Sequence, residues 1–477
     1  MKGFFKKIHG ASMRILEETG IRIHHEKAIK LLKRNGIRVD GGLARFTEDQ
    51  LMEWVDKAPE SFTLHARNPK YNITIGGGNT EFSPGYGCAS IVNRDSSRRP
   101  ALLDDYKRFL KLVEVSDYFN INGGIIVQPT DIPDGTSHLA MIYAATTHSA
   151  KCIIGMPGRA EKIKQLFELA AIPYGGKKEF CKKPRILTMI STISPLQVDS
   201  AALDSILSGA AYNQPLIISP APAAGTTGPI TMAGNISLAN AEALACIAIA
   251  QMAKPHLPVI YGLQCYAADL RSGNISIGSP GYSLQAAYCA LMARMYGLPS
   301  RTGGANNDAK IVSIQSAYES MLSMLTSCEN GVNLIVHSAG ILDSYSAMSY
   351  EKFIVDLEII SMIDYYLRDI RLQEDDLAVD VINRVGPGGN FLFENHTADR
   401  CHTEPWMPEL LTTGSLEGDS PRQEMFDKIE IKIEKMLRAY RKPEMSAETI
   451  IRMRGYLLEN GVDQKTIDRI DAANPAQ

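Results

Sequence analysis

Hydrophobic and polar positions change rhythm along the chain, and the changes mark elements. From residue 101 onward, amphipathic stretches of helical period alternate with short runs that are apolar at nearly every position. "LDDYKRFLKLVEVSD" has the helical spacing, and "NINGGIIVQP" follows as an apolar run. "TSHLAMIYAATTHS" precedes "KCIIGMPG", and "EKIKQLFELAAIPYG" precedes "RILTMISTISP". The alternation continues through "QPLIISPAPAAG", "LPVIYGLQC", "LPSRTGGANND" and "VNLIVHSAG". Its last pair is "FIVDLEIISMIDYYLRDI" with "LAVDVINRVGPGG". A strand apolar on both sides has no solvent face, so it belongs in a parallel sheet covered by helices. Eight such units predict an α/β fold with a (β/α)8 TIM barrel over 101–410. The alternative is an open doubly wound sheet. That fold carries a glycine-rich phosphate loop after its first strand, and "INGGIIVQP" has neither GxGxxG nor Walker spacing.

The flanks read differently. Residues 1–100 predict an N-terminal α/β extension. "HGASMRILEETG" and "HEKAIKLLKRNG" are helical with glycine stops at Gly20 and Gly36, while "SFTLHA", "YNITIGGG" and "CASIVN" alternate like strands. Residues 411–477 predict C-terminal helices. Ser420 to Gln423 form a capping box with Pro421 at the first helical position. Phe426, Ile429, Ile433, Met436, Leu437 and Tyr440 then share one face, and Ser446 caps a last helix ending at Gly461.

Composition changes this picture little. The 477 residues are 45% hydrophobic and 22% charged, with a net charge of -3. That is ordinary for a soluble globular protein, and it lacks the basic footprint of broad nucleic-acid binding. Lys6, Lys7, His9 and Arg14 break up any secretory h-region. The long uncharged run from Ser205 to Ala241 contains Pro215, Pro220, Pro222 and Pro229, so it is not one membrane-spanning helix. A cytoplasmic protein is expected. The eight cysteines are scattered without CxxC spacing, which predicts small buried hydrophobes and no zinc site.

In a barrel, chemistry sits at the C-terminal ends of the strands. The residues expected there include Gln128, Met156, Ser191, Thr192, Ser194, Tyr261, Gln264, Tyr266, Arg301, Asn306, Asn307, Asp308, His337 and Ser338. Amides, hydroxyls and aromatics dominate. Carboxylates are few, no Ser-His-Asp order is present, and no strand-end lysine suits a Schiff base. Tyrosine faces suit a quaternary ammonium, held by cation–π attraction.

Four segments, taken in order, resemble the trimethylamine methyltransferase superfamily. They are the lead-in "HGASMRILEETGIRI…AIKLLKRNG", then "FSPGYGCASIVN", "GGANNDAKIVSIQSAYES" and "VGPGGNFLFENHTADRCHTEPWMPEL". The third is similar to the segment in which the founding enzymes carry pyrrolysine. Here that position falls near Ile311 or Val312, and only standard residues are present. The resemblance therefore implies the branch without pyrrolysine, similar to glycine betaine methyltransferases, which pass a methyl group to the Co(I) of a corrinoid protein.

The chemistry is compatible with that departure. A quaternary nitrogen leaves as a neutral amine, so no general acid is required, and Co(I) is itself the nucleophile. What remains is to hold the ammonium, aim one methyl and exclude water. The resemblance implies a corrinoid on a partner protein; a homo-oligomer is expected, with neither a nucleic-acid nor a membrane partner. Expected substrate contacts are Tyr86, His148, Gln264, His337, Phe353 and Tyr345. Expected corrinoid contacts are Asn306, Asp308, Gly388, Gly389, Asn390, His396 and Thr397. Proline betaine, carnitine or another betaine are alternative substrates. A barrel lyase or hydrolase, or a non-catalytic betaine binder, are the rival functions.

Overall fold

The computed structural model describes residues 2–265, 267–411 and 421–472. Its centre is a curled sheet of seven parallel strands: β1 (Glu81–Phe82), β2 (Ile153–Gly155), β3 (Ile186–Ile190), β4 (Leu216–Ile218), β5 (Val259–Gly262), β6 (Ser300–Gly303) and β7 (Leu334–Val336). They lie in the order β1-β7-β6-β5-β4-β3-β2. The facing edges of β1 and β2 are joined by residues 119–121, through single parallel bridges Phe82–Phe119 and Ile121–Cys152. The ring is thus TIM-like, with an irregular segment where one strand would stand.

Two sequence expectations are corrected here. "NINGGIIVQP" is not a regular strand, because Gly123 and Gly124 take φ of +80° and +61° directly after the Ile121 bridge. A Cβ on Gly124 would stand 1.4 Å from the Ile154 carbonyl oxygen, so only glycine fits against β2 there. "LAVDVINRV" is not the eighth strand either. Val379–Val385 is a surface helix, with Val379 and Ile382 about half exposed where a core strand would be buried. The first strand of the ring comes instead from the N-terminal extension, as the two-residue β1.

Helices cover the outer face. They are α1 (Leu103–Val115), α2 (Ser137–His148), α3 (Ala160–Ala171), α4 (Ser200–Tyr212), α5 (Met232–Ala253), α6 (Pro280–Met295), α7 (Ile314–Glu329) and α8 (Tyr350–Tyr366). α5 is long and apolar enough to cross a membrane, but 94% of its most apolar window is buried inside the protein. Alternation within strands sorts the cores. On β3, Leu187 and Met189 face the interior with Ile154, Ile217, Ile260 and Leu334, while Ile186 and Ile190 face helices.

A hairpin of Ser61–Leu64 with Ile73–Gly76 adds Phe62, Leu64, Ile73 and Ile75 to the interior core. Further on, Ala267–Asp269 pairs with Asn274–Ser276 as a second hairpin after β5. The tail forms α9 (Pro421–Ala439), α10 (Ala447–Glu459) and α11 (Gln464–Asp471). The expected Ser420 cap lies outside the described residues, whereas the Ser446 cap is present, accepting from the Thr449 amide.

Candidate active site

At the C-terminal ends of the strands, a cavity of about 350 Å³ is walled by Tyr86, Pro157, Met189, Ser191, Gln264, His337 and Tyr345, with the start of α4 at one side. Its aromatic side is ordered. The Tyr86 hydroxyl donates to the Gly155 carbonyl at 3.1 Å. The His337 ring stands edge-on to Tyr86, centroids 6.3 Å apart, and 4.4 Å from the Tyr345 ring. Gln264 Nε2 donates to the Tyr345 hydroxyl at 2.8 Å.

Backbone strain holds two of these rings. His337 has φ +62°, and Asp343, Ser344 and Tyr345 have φ of +51°, +51° and +73°. Left-handed conformations cost non-glycine residues about 1–2 kcal/mol each, and such clusters mark sites where geometry outweighs stability. Asp308 restrains the strained turn. Its carboxylate accepts from Ser344 Oγ (2.7 Å), Ser276 Oγ (2.7 Å), Ile277 N (2.9 Å) and Gly278 N (3.2 Å), tying the turn to the hairpin at 267–276.

Beneath the wall lies Arg301, fully buried on β6. Its Nη1 donates to Gln264 Oε1 (2.7 Å) and Ser219 Oγ (3.0 Å). Among the described residues its Nε and Nη2 have no hydrogen-bond partner, and no ion pair includes it. A buried guanidinium without a carboxylate is costly, and that cost is offset when an anion binds. Burial, with a smaller contribution from Arg301, holds the His337 imidazole well below its ordinary pKa, so it is neutral near pH 7. Its Nδ1 also lacks a partner among the described residues. The one carboxylate among the described residues lining the cavity, Asp199, is engaged as the cap of α4, accepting from Ala202 N at 2.7 Å.

The structure brings together Tyr86, Gln264, His337 and Tyr345 from the expected substrate set. Phe353 is elsewhere. It is fully buried between Phe109 and Phe119, because the first turn of α8 faces the core. His148 closes α2 at the opposite end of the barrel, bonded to the Ala144 carbonyl, and burial lowers its pKa to about 3. Tyr261 faces the helix layer and donates to Asn240 Oδ1 at 2.7 Å. Tyr266 lies outside the described residues.

Of the expected corrinoid contacts, Asp308 restrains the Tyr345 turn and Asn306 packs beside Gly303 and Tyr282. Gly388, Gly389, Asn390, His396 and Thr397 stand on an exposed arm after α8. The arm is anchored by Tyr365 and Arg368 to the Glu404 carbonyl and by Trp406 to Ser361, on the half of α8 remote from the cavity. The glycines there make the turn that ends helix Val379–Val385. Gly386 and Gly388 have φ of +68° and +77°, and a Cβ on Gly389 would meet the Val385 carbonyl. Asn390 Oδ1 accepts from Leu392 N, and Thr397 Oγ1 donates to the Phe391 carbonyl. Ile311 and Val312 pack on Val92, Ala309, Leu342 and Ala347 rather than on the cavity wall. Among the described residues, no group of three or more His, Cys, Asp or Glu gathers as a metal site.

Comparison with known proteins now bears on this arrangement. Residues 4–460 match the trimethylamine methyltransferase (MTTB) family. The chain belongs to that family. It is a methyltransferase, and it is 40% identical to a glycine betaine methyltransferase of Desulfitobacterium hafniense (strain Y51), over 96% of this chain and 95% of that one. It is 29% identical to a proline betaine:corrinoid methyltransferase of Eubacterium limosum, over 88% of each. Its identity to the trimethylamine methyltransferase MttB of Methanosarcina barkeri (strain Fusaro / DSM 804) is 30%, over 81% of this chain and 79% of the other.

Proposed function

We propose that this methyltransferase demethylates a small betaine, glycine betaine first, and delivers the methyl group to a corrinoid carried by a partner protein. The observation that carries the reading is Arg301, a buried and uncompensated cation beneath an aromatic-walled cavity. A betaine has the complementary halves. Its carboxylate is drawn toward Arg301, with Gln264 and neutral His337 as the polar groups at the wall. Its quaternary ammonium, which has no N–H to donate, rests against the Tyr86 and Tyr345 rings. Trimethylamine lacks the carboxylate and would leave the Arg301 charge unanswered.

The cavity's titratable groups fit this transfer. The leaving amine is neutral and needs no proton, and the described residues of the cavity offer neither a free carboxylate nor a protonated imidazole. A Co(I) corrinoid supplies the nucleophile that accepts the methyl. The chain's own part is to hold the ammonium, fix the methyl direction through the braced Tyr345 turn, and exclude water. Residues at the mouth fit such a group. Tyr86 and Pro157 line both the cavity and a second chamber of about 490 Å³, whose wall mixes Met141 and Met156 with Gln128, Ser137 and His138. The 29% identity to a proline betaine enzyme supports a second reading in which the substrate is a ring-bearing betaine. Methyl transfer to cob(I)alamin, followed by the loss of its absorbance, tests both. Glycine betaine should give methylcobalamin and dimethylglycine, trimethylamine neither. Transfer from trimethylamine, or from no betaine, would refute the proposal.

A further inference from the structure

The second chamber contains a histidine whose protonation pattern is set from outside the barrel. The Asn460 amide, at the C-terminal cap of α10, donates to the Tyr456 carbonyl at 2.8 Å, so its Oδ1 is left to accept from Gln165 Nε2 at 3.1 Å. Gln165 therefore turns Oε1 toward His138, 3.0 Å from Nε2. That oxygen accepts only, so His138 must carry its hydrogen on Nε2. The other nitrogen, Nδ1, is then a bare acceptor. It has no partner among the described residues, and the residue is 6% exposed. Burial, with the nearby Lys162 charge, lowers the imidazole pKa and keeps it neutral. A buried acceptor held by a three-residue relay is unsatisfied until a ligand brings it a hydrogen.

We propose that this chamber receives a primary amide of the partner's corrin ring, with His138 Nδ1 accepting one amide N–H. The inference rests on the corrinoid reading above. Position and chemistry carry it. The chamber adjoins the substrate cavity across Tyr86 and Pro157, so a macrocycle held at the cavity would reach the chamber as well. A corrin rim bears primary amides, each with N–H donors and a carbonyl acceptor. His138 answers the first, and the donors of Gln128 and Lys162 on the same wall answer the second. A carboxylate in the same place has no hydrogen to give and would leave Nδ1 unsatisfied.

The test is direct binding, read by equilibrium dialysis and corrin absorbance. Two ligands are compared: dicyanocobinamide, with its rim amides, and dicyanocobyrinic acid, the same ring with carboxylates. His138→Phe keeps a ring but removes the acceptor, and should weaken cobinamide binding about threefold to tenfold, the loss of one neutral hydrogen bond. Binding of cobyrinic acid should not change. His138→Asn, which can place an amide oxygen near the Nδ1 position, should recover part of the cobinamide loss. Equal effects of His138→Phe on both ligands, or no effect on either, would overturn the assignment and leave the corrinoid reading standing. Failure of wild-type protein to bind either ligand would overturn both.

Discussion

Arg301 sets the terms at the residue scale. It is a charge on a strand buried on both faces, with two guanidinium nitrogens unpartnered among the described residues. Such a residue lowers the stability of the empty protein and is retained for what it binds. Arg301→Met should therefore separate stability from function. The variant is expected to be at least as stable as wild type by thermal unfolding. Its affinity for glycine betaine should fall about 10- to 150-fold, the worth of one charged hydrogen bond of ~1.5–3 kcal/mol. Choline shares the ammonium but has no carboxylate, so its affinity should hold. Calorimetry with both ligands decides the matter, and an equal loss for choline would mean that Arg301 only supports the wall. The arginine was visible in "LPSRTGG" as a lone charge within a strand run. Its partner chemistry was not visible, because a sequence does not show that no carboxylate reaches it.

Elements explain why the rest was only partly legible. Six of the apolar runs are strands of the ring, since a two-sided apolar run has few other places to go. The first and last runs failed for different reasons. Paired glycines in left-handed conformations broke one, and in the other, "VDVINRV", a helical stripe of Val379, Ile382 and Val385 passed for an apolar strand run. β1 was hidden by its length, two residues of "NTEFSPG". Side-chain direction was the least legible quantity. Phe353 reads in sequence as a better cage candidate than Tyr345, but α8 turns Phe353 into the core and a strained turn carries Tyr345 to the cavity. That turn depends on Asp308. Asp308→Asn puts an NH2 group among four donors whichever way the amide faces. The KM for betaine should rise at least about tenfold with the far-ultraviolet circular dichroism unchanged. Ser344→Ala removes a single bond and should cost less. If Asp308→Asn behaves no differently from Ser344→Ala, the carboxylate does not brace the site.

For the whole molecule, burial of neutral histidines couples stability to pH. His138, His148 and His337 all have pKa values lowered chiefly by burial. Below an ordinary histidine pKa the unfolded chain takes up protons that the native protein refuses. The stability these residues contribute is thus complete above about pH 6.5 and is lost as pH falls toward the native value. Two buried carboxyls act in the opposite sense. Asp356 is pushed up to about 6 by burial despite Lys352, and burial raises Glu242 as well, so each binds protons in the native state first and gains stability on acidification. The wild-type slope is a sum of these opposing contributions, and a difference measurement is needed. His148 suits it, because it is remote from the cavity, almost fully buried, and held down to about 3 by burial together with Lys442, Lys107 and Lys111. Between pH 6.5 and 5 it should cost the wild type about 2 kcal/mol that a His148→Leu variant does not lose. Chemical denaturation of both proteins at several pH values and constant ionic strength gives the two slopes. They should diverge below pH 6.5, the variant's being the shallower, and parallel slopes would show that His148 is protonated in the native protein as readily as in the unfolded chain.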